Sequence, residues 1–165
     1  MTALTSIFRS IFNILFLRLN FPKTYIGNEI KMEDGLKFKI FRHMNLRVKN
    51  EFPNKSIFIV RFKFNKFGHK ANIRLSRIPI LLIAGFPGFL DKLWMIDYET
   101  GYWQGLYQWE TEDTIKKYQK SFVLGLMNKR SNDSTLEYKI ILKKDIREYL
   151  DEHITMASSG RDHAL

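Results

Sequence analysis

The chain has 165 residues, 45% hydrophobic and 15% aromatic, which is enough for one domain with a sizeable apolar core. It contains no cysteine, so disulfides, thiolate metal sites and cysteine nucleophiles are excluded, and its four histidines are too widely spaced for a metal motif. The net charge of +10 indicates either a solvated basic surface or a polyanionic partner, a nucleic acid or an anionic membrane face.

A helix is predicted over residues 5–19, where apolar side chains recur every three or four positions. It either packs on its own domain or a partner subunit, or lies at an anionic membrane surface through residues 7–19, with Arg9 and Arg18 at the lipid headgroups. The apolar run is too short to cross a bilayer. The expected location is therefore the cytoplasm, with a peripheral site at the inner face of the membrane as the second interpretation.

A β-hairpin is predicted over residues 25–43, around a turn at Glu33, Asp34 and Gly35. Its second strand alternates apolar residues with lysines, which indicates one dry face and one basic face. Residues 1–55 are thus predicted to be an N-terminal extension that packs on a core domain at residues 56–154. Residues 155–165 are predicted to be a disordered tail.

The core domain reads as strand, helix, strand, strand, helix, strand. The predicted strands are residues 56–64, 89–97, 102–110 and 135–142, and the helical regions are residues 65–85, interrupted by Pro79, and residues 111–128, which begin at the N-cap Thr111. This order predicts an α+β, ferredoxin-like βαββαβ fold, with both helices on one face of a four-stranded antiparallel sheet. A second subunit or the N-terminal hairpin would cover the other face. A short amphipathic helix is predicted at residues 145–153.

The strand at residues 102–110 carries a bulky aromatic face. Trp103, Gly105, Tyr107 and Trp109 share one side of it, because side chains alternate along a strand. The set is either a filled aromatic core or the wall of a pocket for a flat ligand, in which a tyrosine hydroxyl and an indole N–H are polar groups. The pocket interpretation requires a cavity of roughly a few hundred Å³ lined by Trp109 and Tyr107.

The neighbouring strand is placed by the turn. A three-residue loop at residues 99–101 would pair Tyr98 with Tyr102 and set Asp91, together with Leu93 and Met95, beside the aromatic face. Asp91 is therefore predicted to contact the ligand. A slip of one residue would exchange the two faces of this strand.

An RNA-recognition motif has the same order of elements. In that alignment Gln104 and Leu106 occupy the positions where the motif presents stacking aromatic rings, while Tyr107 would be in the core. Nucleic acid is therefore not an expected partner.

The stretch KLWMIDYETGYWQGLYQWETEDTIKKY resembles the dimeric α/β barrel superfamily of small, antibiotic biosynthesis monooxygenase-like and haem-degrading proteins, and the whole chain is most similar to bacterial members without a known substrate. The shared features are a Lys-x-Trp strand, an ETG turn, a Gly-Leu-Tyr strand and an aromatic residue before an acidic helix start. The resemblance implies a homodimer and a ligand cleft between sheet and helices.

The same resemblance implies site residues. Trp109 matches the tryptophan by the cleft of haem-degrading members, but the following helix supplies no histidine, and Tyr118 or Phe122 would face the site instead. Haem is therefore disfavoured, and no cofactor or metal is predicted. The predicted function is binding of a small hydrophobic or aromatic molecule, with cofactor-independent monooxygenation as the implied reaction. The alternative is a non-enzymatic dimer held at a membrane surface.

No catalytic residue is predicted, because the four candidate proton-handling groups form no recognisable pair; they are Asp91, Asp97, Tyr107 and His69. The predicted ligand-binding residues are Trp109, Tyr107, Trp103, Gly105, Asp91, Tyr118 and Phe122.

Overall fold

The computed structural model describes residues 3–15, 18–65 and 68–154. The helices are α1 (Ala3–Leu15), α2 (His69–Leu75), α3 (Ile78–Ala84), α4 (Glu112–Gln119), α5 (Phe122–Asn128) and α6 (Ile146–His153), with a 3-10 turn at Asp133–Thr135. The strands are β1 (Leu19–Asn20), β2 (Glu29–Lys31), β3 (Lys37–Leu46), β4 (Ser56–Phe62), β5 (Phe89–Ile96), β6 (Trp103–Trp109) and β7 (Glu137–Ile141).

The central sheet has the order β5-β6-β4-β7, with antiparallel neighbours throughout. Together with the helices between the strands, this is the ferredoxin-like βαββαβ arrangement, and the predicted α+β fold is confirmed. The sheet is larger than predicted, because β3 pairs along β5, and β1 and β2 pair with β3. The N-terminal hairpin thus extends the sheet itself.

Helices α2 to α5 cover one face of the sheet. Phe58 and Val60 of β4 pack there with Ile115 of α4 and Leu124 of α5. The alternation predicted for β4 is confirmed, since its intervening residues, such as Ile57, belong to the opposite core.

The second face is covered within the chain. Ile146, Tyr149 and Leu150 of α6 pack against a buried cluster that includes Leu93 and Leu106 of the central strands. The start of α6 is fixed because the backbone N–H of Ile146 donates to Oε1 of Gln108, at 2.5 Å. The predicted homodimer stays a prediction, and a second subunit is not needed to bury these central strands.

The β2–β3 hairpin contributes to the same cover. Ile30 of β2 and Met32 in the turn are buried in the second core together with Phe38 and Ile40 of β3. The dry and basic faces predicted for the second strand are confirmed, because Lys37 and Lys39 are exposed. Strand β3 continues to Leu46, further than predicted.

Two predicted helices have different ends. The N-terminal helix is described over Ala3–Leu15, and Leu19, the predicted end of this helix, instead pairs with Leu46 in the sheet. The predicted helix over residues 111–128 is broken into α4 and α5, because Ser121 adopts an extended conformation and its side chain caps a new helix at the Leu124 N–H. The predicted tail at residues 155–165 lies outside the described residues.

Helix α1 packs along α3, where the Ser6 hydroxyl donates to the Leu82 carbonyl. In the part of the chain that the structure describes, no helix has the length and apolarity needed to cross a bilayer.

Candidate functional site

Strand β6 points its aromatic face at the helices, as the alternation predicted. Trp103, Tyr107 and Trp109 are buried in the helix-side core, whereas Leu106 belongs to the opposite core. Tyr118 of α4 joins them and is fully buried. Phe122 does not reach this region, since it begins α5 with 40% of its surface exposed.

The predicted register of the β5–β6 hairpin is wrong by one residue. Trp94 pairs with Gly105 and Lys92 pairs with Tyr107, so Lys92 and Trp94 face the helices, with Ile96 beyond them. Leu93 and Met95, expected beside the aromatic face, lie in the opposite core instead.

Asp97 causes the shift. Its N–H donates to the Tyr102 carbonyl at 2.9 Å, which closes the hairpin one residue earlier than the predicted Tyr98–Tyr102 pair. Its carboxylate accepts the N–H groups of Glu99 and Thr100 at 2.9 and 3.2 Å. These bonds hold the turn and lower the pKa of Asp97, against the opposing effect of partial burial, which is the largest single contribution. Asp97 is therefore a turn residue and lies outside the aromatic site.

Gly105 leaves a gap that Tyr107 fills. A Cβ atom at Gly105 would lie 2.6 Å from Cε2 of Tyr107, so the tyrosine ring leans over the glycine. The space that the glycine was expected to leave open is thus occupied from the same strand.

Trp109 is fully buried among other aromatic rings. Its ring contacts those of Phe86, Phe89 and Tyr118 at centroid distances of 5.8, 5.7 and 4.8 Å. Its buried Nε1 has no hydrogen-bond partner among the described residues. The interpretation as a filled core is therefore correct at this end of the strand.

Lys92 is the unpredicted polar group of the site. Only 1% of its surface is exposed, and its Nζ donates to the Tyr107 hydroxyl at 2.7 Å. The amine lies 4.2 Å from the ring centroid of Trp94 and 4.1 Å from that of Tyr107. No carboxylate in the described part of the chain lies within ion-pair distance of it.

The surroundings of Lys92 favour its uncharged form. Burial lowers the pKa of Lys92 well below its ordinary value, and the positive charge of Arg42 lowers it further. Arg42 is held nearby because its guanidinium donates to Ser76 Oγ at 2.6 Å and to the Ile73 carbonyl at 3.1 Å. An uncharged amine in a dry site can accept a proton.

The hydroxyl groups of two tyrosines lie near the same methionine. The hydroxyl oxygens of Tyr107 and Tyr118 are 3.8 and 3.9 Å from the sulfur of Met127. Burial raises the pKa of each phenol, so both remain protonated hydroxyls over the ordinary pH range.

A cavity of about 40 Å³ lies beside Lys92 and Tyr107. Its lining is mainly apolar and aromatic, with a few polar groups; the residues are Phe62, Phe64, Ser76, Pro79, Lys92, Trp94, Trp103, Gln104, Gly105, Tyr107, Met127 and Arg130. This volume accommodates a few water molecules. This cavity is far smaller than the expected few hundred Å³, and it lies toward Trp103 rather than Trp109.

Asp91 lies outside this site. It is on the other side of the sheet, where Nε2 of His43 lies 2.8 Å from its Oδ1 and both side chains are buried. Burial raises the pKa of Asp91, and His43 acts in the opposite direction. The other predicted proton-handling group, His69, contacts the rings of Tyr98 and Trp103 at the start of α2.

The residues here do not fit a haem. The cavity is far smaller than a porphyrin, and its lining contains no histidine to bind the iron. Across the described residues, no group of three or more histidine, cysteine, aspartate or glutamate side chains is arranged to hold a metal ion.

Several solved structures are similar to the chain at low sequence identity. A candidate monooxygenase from Fusobacterium nucleatum is 8% identical, with a TM-score of 0.48 over 65% of this chain and 49% of that one. A Listeria monocytogenes ferredoxin-fold protein related to antibiotic biosynthesis monooxygenases is 11% identical, with a TM-score of 0.49 over 69% and 68% of the two chains. LmHde, a heme-degrading enzyme of the same species, is 11% identical, with a TM-score of 0.49 over 66% and 72%.

These structures are of the group that the hairpin residues resemble, and this chain spans about half the length of the Fusobacterium protein. No protein-family model matches the chain, and no curated protein sequence matches it. At such identities the similarity concerns the fold alone, and the fold of this chain follows from its own strand order.

Proposed function

We propose that the protein binds a small aromatic or hydrophobic molecule with an acidic hydrogen between the sheet and helices α3 and α5, and oxidises it as a cofactor-independent monooxygenase. The observation that supports this is the amine of Lys92, which is fully buried beside an apolar cavity, with a tyrosine hydroxyl as its hydrogen-bond partner. A buried amine without a counter-ion is costly for the fold, which makes a functional role a reasonable explanation.

Lys92 would act as the base. Its lowered pKa increases the uncharged fraction of the amine, and the uncharged amine takes a proton from an activated methylene or a phenolic hydroxyl. The resulting ammonium and the substrate anion form a pair in a dry site, where their attraction is strong. Tyr107 holds the amine in place and donates no proton itself, since burial raises the pKa of its phenol.

The oxidation would use molecular oxygen as the only co-substrate. The substrate carbanion transfers electrons to oxygen, one oxygen atom forms a carbonyl at the former methylene, and the second oxygen leaves as water with the two methylene hydrogens. The aromatic lining excludes bulk water from these intermediates.

Binding requires the cavity to widen, because about 40 Å³ is less than an aromatic ring occupies. The side chains best placed to move are those of Met127 and Arg130, at the end of α5 and just beyond it. Among the described residues, the Arg130 side chain contacts the Phe64 ring, at 4.9 Å from its centroid, and donates to Asn72 Oδ1, at 3.2 Å. The proposal thus includes a displacement of this end of α5 when ligand enters.

Calorimetric titration with 1-naphthol and with 1-methoxynaphthalene, which lacks the acidic hydrogen, tests the binding. The wild type should bind 1-naphthol at least about tenfold more tightly, a difference of about 1.4 kcal/mol. The preference should disappear in Lys92→Met, which keeps the length and apolar surface of the side chain. Equal preference in a correctly folded Lys92→Met protein would exclude Lys92 as the recognition group.

Oxygen uptake with anthrone tests the reaction separately. One oxygen molecule should be consumed per anthraquinone formed, and Lys92→Met should lower the rate by about 100-fold or more, as expected for loss of a general base. Naphthol binding without oxygen uptake would keep the binding role and remove the monooxygenase activity.

A further inference from the structure

The outward face of α1 is mostly apolar, with Thr5 and Arg9 as its exposed polar residues among those described. Leu4, Phe8 and Ile11 follow one another at intervals of four and three residues, and 64%, 63% and 43% of their surfaces are exposed. Ser6, on the side that packs on α3, is fully buried. A helix on the surface of a domain normally presents polar residues outward, so this face indicates contact with something apolar.

Exposed apolar residues are concentrated in the same part of the molecule. More than half of the large exposed apolar side chains in the described ranges lie before residue 50. Phe12 of α1 and Val48, after β3, line one open groove, while Phe21 and Ile26 line another with Ile80 of α3. Because α1 packs on α3, the groove beside Phe12 and the groove beside Ile80 both adjoin this pair of helices.

This region is also basic. Residues 1–28 contain no aspartate or glutamate. Arg18, Arg47 and Lys49 line the groove beside Phe12, where Glu110 is the single acidic residue in the lining. Lys23 and Arg77 line the second groove, in which no acidic residue takes part. The apolar face is therefore bordered by positive charge.

We propose that α1 and the two grooves form a docking surface for a bilayer that contains anionic lipid. Leu4, Phe8 and Ile11 enter the boundary between headgroups and acyl chains, with α1 in the plane of the membrane. The surrounding lysines and arginines contact lipid phosphates. A second copy of the chain fits this surface poorly, because two basic borders would face each other. In the described part of the chain, the two grooves share no lining residue with the cavity beside Lys92, but Arg42, in the lining of the second groove, donates to Ser76 of that cavity.

Flotation of the full chain with phospholipid vesicles tests the proposal. The wild type should bind vesicles of three parts phosphatidylcholine and one part phosphatidylglycerol at least tenfold better than pure phosphatidylcholine. Binding should weaken when the salt concentration is raised from about 0.1 to about 0.5 M, because salt screens the attraction between the basic side chains and the anionic lipid. The triple variant Leu4→Ser, Phe8→Ser, Ile11→Ser should lose about tenfold or more, while the control Tyr98→Ser, Leu142→Ser, which removes exposed apolar groups elsewhere, should bind like the wild type.

Three results would overturn the proposal. The first is equal vesicle binding by the wild type and a folded triple variant. The second is equal binding of the wild type to neutral and anionic vesicles. The third is an absence of vesicle binding. In that case, a smaller oligomer for the triple variant in light scattering would assign the face to a second copy of the chain. RNA binding that the triple variant loses would assign the face to RNA.

Discussion

Burial disfavours the charged form of the Lys92 amine, whereas contact with the aromatic rings favours it. The faces of Trp94 and Tyr107 would stabilise an ammonium by about 2 kcal/mol in a desolvated site. Removal of an ammonium from water costs several kcal/mol, even after the protein relaxes. The guanidinium of Arg42 adds repulsion. Burial therefore dominates, and the uncharged amine is favoured.

The pH dependence of stability should report this amine. Because the folded pKa of Lys92 lies below the unfolded value, the unfolded chain binds the additional proton. The free energy of unfolding should therefore rise with pH, by up to about 1.4 kcal/mol per unit for this group, until the unfolded pKa near about 10.4. Urea denaturation of the wild type and Lys92→Met between pH 7 and 9 measures the difference, and the variant should lack this rise and be the more stable protein at pH 7.

The same substitution at exposed Lys120 is the control, and it should leave the slope of the wild type unchanged. The comparison stays below pH 10, because burial also raises the pKa of Tyr107. Above that pH the unfolded tyrosine ionises and stability falls for a separate reason. Parallel curves for the wild type and Lys92→Met would contradict the account of Lys92.

Position 105 requires a glycine because the ring of Tyr107 occupies the space where a Cβ atom would lie. In Gly105→Ala the new methyl group would lie 2.6 Å from that ring and push the hydroxyl away from Lys92. We expect a loss of about 1–3 kcal/mol in the free energy of unfolding, typical of overpacking, measured by urea denaturation.

Gly125 provides the matched control for this change. It lies within α5, and a Cβ atom there would meet no atom within 4 Å. Gly125→Ala should stabilise the protein by about 0.5–1 kcal/mol, since alanine favours a helix. Destabilisation by both variants to the same extent would show that contact with Tyr107 is not the cause.

At the level of elements, the β5–β6 hairpin explains both the success and the failure of sequence-based prediction. The set of β6 residues that share one face follows from the alternation along that strand alone, so the sequence is sufficient to predict its aromatic face. The position of the partner strand depends on the turn. An aspartate with a threonine three residues later and a glycine four residues later favours the side-chain-capped turn that Asp97 forms. That signal at Asp97 would have placed Lys92 beside Tyr107.

Helix α6 was predicted as an element, but its role as the cover of the second sheet face was not. Leu150→Ala should cost about 2–5 kcal/mol, because Leu150 is fully buried and its truncation leaves a cavity over the central strands. Chemical denaturation measures the loss. Leu142→Ala, at an exposed position after β7, should change stability by less than about 0.5 kcal/mol. Similar losses for both would contradict a covering role for α6.

For the whole molecule, the order of the elements was sufficient to predict the ferredoxin-like core, because that order restricts the topologies a compact chain can adopt. The size of the cavity could not be predicted in the same way. It depends on how far Tyr107 leans over Gly105 within β6, and on where α5 lies against that strand, which is a contact between parts of the chain that are separated in sequence. The homodimer remains a prediction, to be measured by light scattering.

Lys92 is a buried amine whose surroundings favour its uncharged form. NMR titration of protein labelled with carbon-13 at the lysine Cε, with Lys92→Met to assign the signal, measures this directly. We expect the Lys92 signal to titrate well below the value of about 10.4 for an ordinary lysine and to shift when 1-naphthol is added. A titration midpoint near about 10.4 would show that Lys92 is an ordinary charged amine and exclude it as the base.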